Sequence, residues 1–129
     1  MHANLAAGLR ERRVLLGERY RQLLADTPGL RLLAVRDDRD CVWAQYTVFV
    51  DARATVQAAL QVRGIPTAVH YPKPVHRQSA YAQYCCPDCC PQSVLAGQQV
   101  LSLPMSADLT EAQQDSVVAA VRAALAAAR

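Results

Sequence analysis

The sequence predicts an α+β domain: a small, mostly antiparallel sheet of three to four strands, helices on one side, and a long N-terminal helix in front. Three observations carry that expectation. Apolar residues recur at helical spacing over residues 4–25, a run rich in β-branched and aromatic types occupies residues 41–50, and proline and glycine punctuate the segments between. The 129 residues and 14.1 kDa suit a single domain. Leu, Ile, Val and Phe together make up about a quarter of the chain, above the ~20% below which chains tend to stay disordered.

In the first segment Leu5, Leu9, Leu16, Tyr20, Leu23 and Leu24 are three, four or seven residues apart or adjacent, with charged residues filling the gaps. Thr27-Pro28-Gly29 should end that helix, because proline cannot continue it and glycine turns cheaply. Leu30 to Val35 reads as a short strand, and Arg36-Asp37-Asp38-Arg39-Asp40 as a solvated turn. Cys41 to Val50 is the best strand pattern in the chain. Asp51 is expected to cap a helix through Arg63, with Val56, Ala59 and Leu60 on its inner face. Gly64 stands where a glycine closes a helix, and Ile65 is its apolar partner. Ile65 to Tyr71 reads as a further strand, demoted towards an edge by Pro66. After a proline-punctuated loop come short helices over residues 77–99, a strand at Val100 to Leu103, and a last helix begun by a Thr110/Gln113 capping box.

Charge and composition exclude several functions. The net charge of +3 comes from 13 arginines and one lysine against 11 acidic residues, and the arginines are scattered, so no basic stripe interleaved with aromatics marks a nucleic-acid surface. No apolar run approaches the ~20 residues that span a bilayer. Met1-His2-Ala3-Asn4 lacks the basic and apolar regions of a signal peptide, so a cytoplasmic location with reduced thiols is expected.

Two constellations carry chemistry. His70-Tyr71-Pro72-Lys73-Pro74-Val75-His76 gathers two imidazoles, a phenol and an ammonium on a loop stiffened by prolines, which suits recognition of a phosphate or carboxylate. The competing reading makes His70 and Tyr71 strand-end residues with local hydrogen bonds. Lys73, the only lysine, lies between two prolines and reads as solvated rather than as a Schiff-base lysine, which must be held desolvated. The second constellation is Cys85-Cys86-Pro87-Asp88-Cys89-Cys90. Its Cys-x-x-Cys is half of a zinc site or a redox pair, yet no second ligand pair lies near in sequence, so exposed free thiols and no metal are expected. No catalytic residue is assigned.

Four segments, in order, give the chain a recognisable likeness. They are the strand from Trp43 to Val50, the run Arg63-Gly64-Ile65-Pro66-Thr67-Ala68-Val69-His70-Tyr71-Pro72, the run Pro74-Val75-His76-Arg77-Gln78 followed by Ala80-Tyr81, and Leu101-Ser102-Leu103-Pro104-Met105 ahead of Thr110-Glu111. Together they resemble the C-terminal small domain of the DegT/DnrJ/StrS-type nucleotide-sugar aminotransferases. Val75 in place of leucine, and Ser106 in place of histidine after Leu-Pro-Met, depart from the family pattern.

The resemblance implies one domain over 1–129, with 1–28 as a linking helix and 30–129 as the α+β body. It implies a share in transferring an amino group to a nucleotide-linked keto-sugar, in surface-polysaccharide or antibiotic-sugar biosynthesis. Pyridoxal phosphate is expected in the full-length enzyme and not in this chain, because the family's lysine-bearing large domain precedes the matched region. His70, Tyr71 and His76 become substrate-binding candidates, with a nucleotide-sugar as ligand and a homo-oligomer as the expected assembly. The alternative is a non-catalytic binding or regulatory domain that pairs with a full-length aminotransferase.

Overall fold

Helix α1 (His2–Leu24) opens the chain in the computed structural model, which describes the backbone of residues 2–129 and the side chains of residues 8–129. Leu16, Tyr20 and Leu24 are buried as the spacing requires, and Leu23 packs beside them. Leu9, expected on the same stripe, is exposed, and the side chain of Leu5 lies outside the described residues. The helix stops before Asp26, which adopts a left-handed φ of 53°, and Gly29 at φ 81° completes the turn into β1 (Leu30–Leu32).

Strand β2 (Tyr46–Val50) is shorter than the pattern over 41–50 suggested. Its start is set by Trp43, whose φ of 54° breaks extended backbone. That conformation is held from α1: the Arg13 guanidinium donates to the carbonyls of Trp43 and Ala44, both at 3.1 Å. The indole lies on Gly17, where any side chain would overlap it.

Helix α2 (Arg53–Val62) begins one residue later than expected. Asp51 does not cap it, since the N-cap position falls on Ala52 without a side-chain bond, and the Asp51 carboxylate instead accepts from the Gln99 amide at 3.2 Å. The closing glycine behaves as expected. Gly64, at φ 72°, donates to the Gln61 carbonyl at 2.9 Å, and Ile65 donates to Leu60 at 3.0 Å, the paired bonds of a Schellman motif.

The segment 65–71 is not a strand. Pro66 has no N–H and the Ile65 N–H is spent on the helix end, so only Ala68 pairs, exchanging bonds of 3.1 and 2.7 Å with Ser102. Two single-turn 3₁₀ helices follow, Val75–Arg77 and Ser79–Tyr81, then α3 (Pro91–Gln99), β3 (Val100–Leu103) and α4 (Glu111–Ala127). The Ser106 hydroxyl accepts from Asp108 N–H at 3.3 Å in the turn before α4, and the Thr110/Gln113 capping box is formed.

The sheet has order β1-β2-β3 and is antiparallel throughout, with Leu30 opposite Val50 and Val48 opposite Leu101. That register puts Tyr46, Val48, Val50, Leu101 and Leu103 on one face, packed against Tyr20 and Leu24 of α1, Val56 and Leu60 of α2, and the inner face of α4. The opposite face carries Arg31 stacked on Phe49, 3.9 Å from the ring centre, and beside them Val100, Thr47 and Ser102.

Two fully buried polar side chains, Tyr20 and Gln114, are paired. Tyr20 is fully buried and donates to the Pro104 carbonyl at 2.9 Å, with its ring 4.7 Å from that of Tyr46. Gln114, also fully buried, donates to the Leu16 carbonyl at 2.7 Å and accepts from Arg19 at 3.1 Å, so one amide joins α4 to α1. Gln114→Ala should therefore destabilise the fold by about 1–3 kcal/mol, read as a lower urea midpoint, because it removes both bonds and leaves a void. Alkaline pH should act through the buried phenols. Burial pushes Tyr20 and Tyr46 well above the ordinary tyrosine range, whereas in the unfolded chain both ionise near pH ~10. Their contribution is complete below that pH and is lost as pH rises through it towards the folded-state values, since the unfolded chain gives up the protons first. In a Y71F/Y81F/Y84F variant, which keeps only Tyr20 and Tyr46, phenolate absorbance and loss of helical circular dichroism should then rise together above pH ~10.

Candidate functional site

The site is built on the second face of the sheet, where β3 meets the loop that failed to become a strand. Ser102 is nearly buried and bonded four ways. Its backbone pairs with Ala68, and its hydroxyl lies 2.9 Å from Thr47 Oγ1 and 3.0 Å from His70 Nδ1. A hydroxyl has one proton to give, so Ser102 donates to at most one of Thr47 and His70 and accepts from at least one of them. Either way Nδ1 is engaged and the ring orientation is set. Nε2 is left as the nitrogen that can meet a ligand.

His70 and Tyr71 are joined by a cis peptide bond, and their rings meet edge to face at 5.6 Å and 80°. Tyr71 is 73% exposed, so its phenol is available rather than spent on a local contact. His76 lies in the Val75–Arg77 turn, only 8% exposed, and its buried Nε2 has no partner. All three residues line one cleft of about 540 Å³, together with Lys73, Gln78, Ser93, Cys85 and Cys90. The three predicted site residues are thus brought together, on a single loop, with one imidazole pinned, one phenol free and one imidazole buried with its Nε2 partnerless.

Helix α3 forms the cleft's floor. Gly97 is required there: a Cβ would stand 2.9 Å from the Pro72 carbonyl oxygen. The Arg53 guanidinium donates to the Gly97 carbonyl at 2.9 Å, so α2 also holds α3 in place. Sequence reasoning missed Ser102, Thr47 and Gly97 as parts of the site. A signal for Ser102 was present, since a hydroxyl between Leu101 and Leu103 in a short strand must face away from the core.

The chain's residues do not fit pyridoxal phosphate. Its one lysine, Lys73, is exposed at the cleft's rim, whereas an imine-forming lysine must be held desolvated against the cofactor. Among the described residues no group of three or more His, Cys, Asp or Glu side chains is placed to hold a metal ion. No described helix is long and apolar enough to cross a membrane.

Comparison with known proteins gives these features a context. Residues 4–122 match the model of the DegT/DnrJ/EryC1/StrS aminotransferase family. The chain is 39% identical over 112 residues to the dTDP-3-amino-3,4,6-trideoxy-alpha-D-glucose transaminase of Streptomyces venezuelae, a match that covers 86% of the chain and 30% of the relative. It is 35% identical over 117 residues to the erythromycin biosynthesis sensory transduction protein EryC1 of Saccharopolyspora erythraea, covering 87% of the chain and 31% of that protein. Among solved structures, S. venezuelae DesV in complex with a ketimine intermediate superposes with a TM-score of 0.88 and 38% identity, over 94% of the chain and 33% of DesV. The chain therefore spans about a third of the length of these relatives.

The close approach at Gly97 can be tested directly. Gly97→Ala should force the Pro72 carbonyl or α3 to move and should cost about 1–3 kcal/mol, as overpacking does elsewhere. The loss should appear in urea unfolding and as shifted amide resonances at residues 70–74.

Proposed function

This chain belongs to the DegT/DnrJ/EryC1/StrS aminotransferase family, and on that premise we propose that it is the small-domain portion of an enzyme that aminates a nucleotide-linked keto-sugar. In this reading residues 1–28 link it to a large domain that carries pyridoxal phosphate, residues 30–129 form the body, and the assembled enzyme is a cytoplasmic homo-oligomer. The observation that carries the substrate assignment is the Thr47–Ser102–His70 chain beneath an exposed Tyr71. It presents Nε2 of a fixed imidazole and a free phenol towards the same cleft. A nucleotide-sugar carries a diphosphate: the Tyr71 phenol donates to it, and Nε2 of His70 donates to it in the tautomer whose Nδ1 accepts from Ser102. The role of these residues is binding and orientation. The amino-group chemistry belongs to the cofactor on the other domain.

A second reading rests on the relative named for sensory transduction. There the chain binds a full-length aminotransferase in trans and catalyses nothing. The two readings separate when the chain is mixed with a full-length family member: in the regulatory reading a stable complex sediments and activity changes, and in the enzymatic reading neither happens.

The enzymatic reading is tested with the chain joined to a lysine-bearing large domain of the family. A hydrogen bond to a charged group is worth about 1.5–3 kcal/mol and a neutral one about 1. His70→Ala and Tyr71→Phe together should raise KM for the nucleotide-sugar roughly five- to a hundredfold. Cofactor loading, read from its visible absorbance, should be unchanged. An unchanged KM would make both residues structural.

A further inference from the structure

The segment between the Ser79–Tyr81 turn and α3 holds four thiols, none of which the proposed function uses. Cys86, Cys89 and Cys90 are exposed, and Cys85 is partly so. We propose that Cys86 and Cys89 are a thiol modification site, forming a reversible intrachain disulfide on the rim of the His70–Tyr71–His76 cleft, with a low-molecular-weight disulfide such as oxidised glutathione as the oxidant.

Geometry selects this pair. The nearest sulfurs are those of Cys89 and Cys90, 3.6 Å apart. Those residues are neighbours, however, so one trans peptide holds their Cα atoms about 3.8 Å apart, below the ~4.4–6.8 Å that an unstrained disulfide spans. Cys86 and Cys89 instead flank a turn centred on Pro87 and Asp88, in which Cys89 N–H donates to the Cys86 carbonyl at 3.4 Å. The ends of such a turn come within about 7 Å, the span a disulfide needs. The turn is also prepared in advance. Pro87 fixes its own φ, and Arg77 donates to the Pro87 carbonyl at 2.8 Å and to the Asp88 carboxylate at 3.1 Å. Closing the ring therefore orders little that is not already ordered.

The reaction is two thiol–disulfide exchanges. The Cys86 thiolate attacks one sulfur of the oxidant, whose S–S bond breaks and releases one thiol. The Cys89 sulfur then displaces the second thiol from the mixed disulfide, leaving an S–S bond in the protein. Two S–H bonds are lost from the chain, and the electron pair and both protons leave with the two released thiols. The contact with Cys90 raises the Cys89 pKa, which suits Cys89 to the second step and leaves the first to Cys86. Cys85 and Cys90, each adjacent to one member of the pair, both line the cleft, so closure stiffens that wall.

The test equilibrates the full chain with mixtures of reduced and oxidised glutathione, alkylates the remaining thiols, and cleaves on the N-terminal side of Asp88. The fragments on either side should stay joined until reduced, with a loss of two alkylated thiols per chain. C85S/C90S should retain the link and C86S/C89S should lose it, while C89S should accumulate glutathione on Cys86. A link that persists undiminished in C86S/C89S, or a wild-type chain that yields only mixed disulfides at the most oxidising ratio, would overturn the assignment.

Discussion

Strand β3 is four residues long and buried on both faces, and the arrangement of everything around it follows from that constraint. Leu101 and Leu103 close the core beneath three helices, so Ser102 between them must meet whatever covers the other side. What covers it is a loop that can donate only one N–H to the ladder and a hydroxyl that needs a partner. Ser102 satisfies both demands with its own backbone and side chain. The bond to His70 adds about 1 kcal/mol to a hydroxyl that Thr47 already pairs, so the position of His70 is coupled to the stability of the sheet.

The helices were legible because their signals are repeated. Leu16, Tyr20 and Leu24 state the same face three times, and the Thr110/Gln113 box states a helix start twice. Strand limits depended on single residues and were missed. Trp43 carries strong β character, yet its backbone is left-handed because Arg13 grips two carbonyls and Gly17 makes room for the indole. No periodicity encodes a contact across thirty residues. Asp51 failed as a cap for a similar reason, since Gln99 from a different helix competes for the same carboxylate. In the site, His70, Tyr71 and His76 were visible as chemistry in a short loop, but Gly97 was not, because its role depends on where α3 packs.

The arginines, read as scattered, do something the sequence pattern hides. Arg12, Arg13, Arg53, Arg63, Arg77 and Arg122 each donate to main-chain carbonyls of a different element or loop. A guanidinium has five donors in a fixed plane and stays charged at any ordinary pH, so it can bond loop carbonyls and those left open in a helix's last turn, as at Leu23 of α1 and Gly97 of α3. Several of these bonds are half-buried, where the surrounding dielectric favours them over exposed ion pairs such as Arg36–Asp38. In a small domain with one tryptophan and one phenylalanine, this stapling supplements a modest core.

The cleft itself is only half of a binding environment. Ser102 and Thr47 preorganise the imidazole, and α3 fixes the loop against which a ligand would lie. Tyr71 nonetheless stands largely in water, and a hydrogen bond from an exposed phenol competes with solvent at both ends. An anion gains full benefit from such donors only when a second surface excludes that water. The chain therefore contributes aim rather than affinity. In the enzymatic reading, binding should strengthen sharply only when the covering surface is present, which is the behaviour expected of a site shared between two parts of one enzyme.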